Sequence, residues 1–218
     1  MRSTAAALVA VWGASTGLSA QSVGSGQAGP RSFLEREHEI LLARSAAPPS
    51  VSAGADVYVF TADGYVLAAR GGSGAACLVS RSWPDSLEPE CFDPEGTRTI
   101  MPMEMTRTEL LHAGVAPEEA ERRIADGIAD GTFRLPQRMA VVYMMSEGQR
   151  LIADDGTPAG KWRPHLMIYS PWLTNEDAGH STPPGLMGGM VVDSGLPTAN
   201  LMVVVPEFVA VSGAEERP

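Results

Sequence analysis

Lys161 to His180, KWRPHLMIYSPWLTNEDAGH, concentrates the side chains able to move a proton or bind a metal, holding two of the four histidines and two of the four tryptophans. Pro164 and Pro171 bracket His165 to Ser170, and a residue before proline is pushed out of the helical region, so this run is expected to be a strand. Alternation then places His165, Met167 and Tyr169 on one face and Leu166, Ile168 and Ser170 on the other. The second face can lie on a core, leaving the first to look into a cleft. There His165 is a candidate general base, with Asp177 to orient it and Tyr169 beside it. His165 and His180, with Asp177 or Met167, form an alternative zinc or copper set. The simpler expectation for His165 is a half-buried, hydrogen-bonded histidine beside Trp162 or Trp172.

Cys77 and Cys91 are the only cysteines. What they do depends on compartment. Arg2, the apolar run Ala5 to Trp12 and the small residues around Ala20 have the layout of a secretory signal peptide, expected to end at Ala20 despite the large Leu18. The apolar run is too short to span a bilayer. Export to a periplasmic or secreted location would place both cysteines where pairs close, and a disulfide is expected. The competing role is a Cys77 nucleophile after Gly71-Gly-Ser-Gly74, with His165 as base. Reactive cysteines of that kind sit at helix N-termini, whereas Ala76-Cys-Leu-Val79 reads as strand.

Sixteen basic residues against 26 acidic ones give a net charge of −10. That balance argues against nucleic-acid or anionic-membrane surfaces, which need clustered Lys and Arg. Met101, Met103 and Met105 alternate in a stretch, Thr97 to Met103, that looks extended. Grouped thioethers, with His165-x-Met167, could hold Cu(I), although soft packing in a core explains them more simply. The glycine loop lacks a following lysine and any G-x-G-x-x-G spacing, so it is no phosphate cradle. His38, among Glu35, Glu37 and Glu39, reads as a solvated helix residue, and His112 as one placed near a helix C-terminus.

Residues 21–55 read as a flexible lead, a helix capped by Ser32-x-x-Glu35, and a Pro/Gly linker over 46–55. Residues 56–210 read as a single α+β domain, and 211–218 as a disordered tail. Asp56 to Thr61 and Tyr65 to Ala69 flank Ala62-Asp-Gly64, a hairpin signal. Ala76 to Ser80 is a third strand, followed by a loop rich in Pro and acid from Trp83 to Gly96. Thr106-x-x-Glu109 caps one helix that ends near Gly114. Pro117 starts another, which ends before Gly131 and carries an apolar stripe of Ala120, Ile124 and Ile128. Met139 to Met145 and Leu201 to Pro206 read as buried strands, and Asp155-Gly156 as a hairpin turn. The expected fold is a mixed, mainly antiparallel sheet of about seven strands with two packed helices and an additional N-terminal helix.

Three motifs, Ala76-Cys77-Leu-Val with Arg81, Pro89-x-Cys91-x-Asp93-x-Glu95-Gly96, and Pro164-His165-Leu-Met-x-Tyr-x-Pro-x-Leu-Thr174, resemble a group of uncharacterised exported bacterial proteins over about residues 55 to 206. The resemblance implies an extracytoplasmic domain and no particular reaction. No spacing of nucleophile, base and orienting acid stands out, so the functional expectation is an extracytoplasmic binding or structural module of unknown ligand and cofactor. A hydrolase built on His165 and a Zn/Cu-binding module are the alternatives.

Overall fold

The computed structural model describes residues 33–82, 86–153, 157–180 and 189–211. The expected signal peptide, Ser32, Asp155-Gly156 and the residues beyond Val211 lie outside them. An eight-stranded sheet runs through the middle of the molecule. Its strands are β1 (Asp56–Thr61), β2 (Gly64–Ala69), β3 (Ala76–Ser80), β4 (Glu88–Phe92), β5 (Ala140–Met144), β8 (His165–Tyr169), β9 (Met190–Val192) and β10 (Asn200–Val204). They lie in the order β2-β1-β3-β4-β5-β8-β10-β9, while β6 (Leu151–Ile152) and β7 (Pro158–Gly160) form a separate ribbon. Among the described strands of the sheet only β1 and β3 pair in parallel, so the sheet is mixed and mainly antiparallel. The β1–β2 hairpin turns through Gly64, whose φ of 94° suits a residue without a Cβ.

Helices cover both faces. On one, α1 (Arg36–Arg44) and the short α2 (Pro49–Ser52) pack Leu42, Ala43 and Ala46 against Val57, Val79 and the two cysteines. On the other, α3 (Pro94–Thr99), α4 (Met101–His112) and α5 (Pro117–Ala129) pack Ile100, Met103 and Ile124 against Leu78, Phe92 and Val142. The hairpin, β3, β8, β10 and α5 with its apolar stripe arise where their residues indicate.

Four expectations are corrected. The first helix begins at Arg36, and its cap is Glu35, which accepts from the amides of Glu37 and His38. The stretch read as a linker buries Ala46, Ala47 and Ala55 completely, because α2 folds it back onto the sheet. Thr97 to Met103 is helical: Asp93 caps α3 by accepting from Gly96, and Pro94 and Pro102 each occupy a first turn, where no amide is needed. Met101 and Met103 pack in the core on that helical backbone. Finally, the loop expected over 83–96 contains β4, wholly buried and paired with β3 from Ala76↔Phe92 to Ser80↔Glu88. Pro89 is tolerated there because β5 joins only at Cys91 and Phe92, leaving the strand one-sided at the proline.

The N-terminal helix is anchored by charge as well as by packing. Glu39 Oε2 lies 3.0 Å from Arg81 Nη2, with both side chains essentially inaccessible to solvent. Glu39 Oε1 accepts the Phe60 amide at 3.0 Å, and the Arg81 guanidinium lies 5.0 Å from the centre of the Phe60 ring. Burial pushes the Glu39 carboxyl above its ordinary range against the attraction of Arg81, so desolvation is the larger effect.

Candidate functional site

Residues two apart on a strand point the same way, so Glu88 and Glu90 of β4 project together from the sheet face that carries α4. Along that face the register sets Met144 opposite His165, and Met167 opposite Met202. The first turns of α5 and the middle of α4 stand above it. Between them lies a cleft of about 830 Å³, within the range typical of small-ligand sites. Its sheet side is Met144, Met167 and Met202 with His165 and Tyr169, and the exposed Trp162 also lines it. Gln149 fixes Trp162 by donating to its carbonyl at 2.9 Å and accepting from its amide at 3.0 Å.

The carboxylates around the cleft differ in how they are satisfied. Arg107 is held between two of them, Glu104 at 2.5 Å and Glu121 at 2.6 Å through Nε, with a second contact to Glu121 at 3.2 Å. Burial works against the charge of Arg107, yet those two carboxylates outweigh it and hold its pKa above the ordinary value. Glu88 Oε1 accepts from Ser82 at 2.5 Å. Glu90, 4% exposed, accepts from Ser80 at 2.8 Å through Oε1, while its buried Oε2 has no hydrogen-bond partner. Burial pushes Glu90 well above the usual carboxyl range, and the neighbouring Glu104 and Glu88 add to the effect. Glu88 is also raised, mainly by burial. These groups therefore hold protons more readily than free glutamate.

His165 is 3% exposed, and its Nδ1 lies 2.6 Å from the Arg163 carbonyl oxygen. A carbonyl only accepts, so Nδ1 carries the proton and the neutral ring offers Nε2 as a bare acceptor. Burial lowers the His165 pKa, which keeps the ring neutral near pH 7, although its bond to Arg163 opposes this. The buried Tyr169 hydroxyl is directed at the Met167 sulfur, 3.8 Å away, a weak acceptor. Burial raises the phenol pKa well above normal, and Glu104 and Glu90 reinforce this.

Of the residues singled out in the sequence, His165 and Tyr169 reach the cleft together. Asp177 does not join them. Its carboxylate accepts from the Thr174 amide at 2.9 Å and hydroxyl at 2.7 Å, and Thr174 accepts the Asp177 amide at 3.1 Å. That reciprocal cap lowers the Asp177 pKa and is exposed. His180 donates its amide to Asn175 in the same turn and is not part of the cleft lining. Among the described residues no group of three or more His, Cys, Asp or Glu is arranged to hold a metal ion. Cys77 and Cys91 form a disulfide across directly paired positions of β3 and β4, with Cα atoms 4.0 Å apart, so neither sulfur is a free nucleophile. They belong to the core under α1, on the face opposite Glu90.

Glu88, Glu90, Glu104 and Arg107 escape the sequence reading. The available signal was Glu88-x-Glu90, which places two carboxylates on one face once the segment is taken as a strand. Among the described residues no helix is long and apolar enough to cross a membrane. No family model, curated protein or solved structure matches the chain.

Proposed function

We propose that the chain is an extracytoplasmic binding module and that the cleft between the sheet and α4–α5 is its ligand site. One observation carries this reading: Glu90 Oε2 is buried in the cleft wall without a partner. A buried polar atom without a hydrogen-bond partner costs about 1–3 kcal/mol, a cost that a ligand group bonded to it would remove. The disulfide supports export, because such bonds persist in oxidising compartments. Two measurements test the reading. A small-molecule library should include compounds that raise the melting temperature of the purified protein, as mass action requires of any native-state ligand. Met167→Trp, which fills the cleft floor, should abolish those shifts; shifts retained in a folded Met167→Trp protein would place binding elsewhere. N-terminal sequencing of the protein expressed in a bacterium should start at Gln21, whereas a start at Met1 would contradict export.

A second reading, an acid–base hydrolase, is favoured by the neutral Nε2 of His165 facing the same cleft as a carboxyl that retains its proton. Its His165 would act without Asp177. Hydrolytic turnover lost in folded His165→Ala would establish it, and turnover unaffected by that change would exclude His165 as base.

A further inference from the structure

We infer that the ligand of this cleft is a small organic cation, an amine or guanidine attached to an apolar body. The inference rests on the cleft being the binding site and specifies what it takes. Consider first the polar atoms left unused. Glu90 Oε2 becomes an acceptor when the carboxyl releases its proton, and His165 Nε2 is one once Nδ1 is committed to the Arg163 carbonyl. The Tyr169 oxygen accepts as well, since its proton is turned towards the Met167 sulfur. A ligand that satisfies all three must bring donors. Ammonium supplies three and guanidinium five.

Charge points the same way. Arg107 is consumed by Glu104 and Glu121, leaving Glu88 and Glu90 from β4 and Glu118 from α5 without a cation among the ion pairs of the site. An anionic ligand would be repelled by these carboxyl groups in their ionised form and would find the Arg107 guanidinium of the cleft lining already paired. A metal ion is disfavoured by the lack of a convergent set of three donors among the described residues. The remaining surface is soft and apolar, with three methionines on the sheet side and Trp162 in the lining, suited to a hydrocarbon or aromatic body beside the charged head.

Binding a cation against Glu90 would also release protons. Glu88, Glu104, His165, Tyr169, Arg107, Glu118 and Glu121 all surround this space, and of these only Arg107 opposes proton retention by charge. A positive ligand takes over the proton's electrostatic role, so affinity should rise with pH through the range where Glu90 gives up its proton.

The test uses three probes with one body and different heads: 4-phenylbutylamine, 4-phenylbutanol and 4-phenylbutyrate, titrated calorimetrically into the disulfide-intact protein. The amine is expected to bind at least tenfold more tightly than the alcohol, and the acid more weakly than either. Glu90→Gln should weaken the amine about tenfold or more while leaving the alcohol unchanged, the size expected for losing a charged hydrogen bond. In wild type, heats measured in two buffers of different ionisation enthalpy should reveal proton release on amine binding. That readout stands even where the variant fails to fold. Equal or tighter binding of the alcohol or acid at a Met167→Trp-sensitive site would overturn the cation assignment and leave the binding site intact. Heats with zinc or magnesium chloride, lost in Glu90→Gln, would replace the organic cation by a metal. No binding by any of these probes would count against both the cation and the cleft.

Discussion

Replacing Glu39 with alanine should be among the most destabilising single changes in this fold. The carboxylate makes a 3.0 Å ion pair to Arg81 and a 3.0 Å hydrogen bond to the Phe60 amide, with neither charged side chain reaching solvent. Arg81 would keep its 2.7 Å bond to the Val79 carbonyl and its place over Phe60, but would lose the Glu39 carboxylate. Breaking one side of such a pair costs about 3–5 kcal/mol because the surviving charge stays buried. Against a total stability of about 5–15 kcal/mol that is a large fraction. At about 2–4 °C per kcal/mol for a domain of this size, the melting temperature should fall by roughly 6–20 °C. Urea unfolding followed by circular dichroism gives the free energy directly. Glu37→Ala, an exposed change on the same helix, should stay within about 0.5 kcal/mol. The double variant Glu39→Leu with Arg81→Met should recover most of the loss, since packed apolar side chains of similar volume carry no charge-desolvation cost. A loss below about 1 kcal/mol for Glu39→Ala would refute the claim that α1 is locked to the sheet through this pair.

Two further outcomes follow from the same geometry. Removing the disulfide as Cys77→Ala with Cys91→Ala should cost about 3 kcal/mol by the chain-entropy relation for a loop of this length, and should leave ligand binding unchanged because the sulfurs lie behind the cleft; a lost activity with stability retained would return the sulfurs to chemistry. Glu90→Gln should flatten the pH dependence of stability. In wild type the folded state keeps a proton on Glu90 that the unfolded chain has released above about pH 4.5, so stability falls as pH rises towards the folded-state pKa, by at most about 1.4 kcal/mol per pH unit for one proton. The variant lacks that slope and should match or exceed wild type in urea at pH 8; a variant as steep as wild type would contradict it.

What the residues disclosed and what they concealed have separable causes. β8 was readable because Pro164 and Pro171 bracket it and alternation puts His165 and Tyr169 on one face. α5 was readable because Pro117 and Gly131 punctuate an apolar stripe. β4 was hidden by its own composition, two glutamates and a proline, which are rare in strands and are tolerated here because Ser80 and Ser82 serve the carboxylates. The start of α4 was hidden by methionines whose alternation imitates a strand. The cleft was beyond any local pattern, since it requires β4 beside β5 and Arg107 reaching Glu121 across two helices. The partnership of Glu39 with Arg81, 42 residues apart, is equally invisible to spacing.

Glu90 brings a buried carboxyl to the cleft wall, with Oε2 lacking a hydrogen-bond partner. Carbon-13 NMR of side-chain-labelled glutamate, with the Glu90 signal assigned by its loss in Glu90→Gln, measures this at the atom concerned. The expected titration midpoint lies well above 4.5 in the free protein and falls when 4-phenylbutylamine saturates the cleft. A Glu90 carboxyl that titrates at or below 4.5, and whose signal ignores the amine, would contradict it.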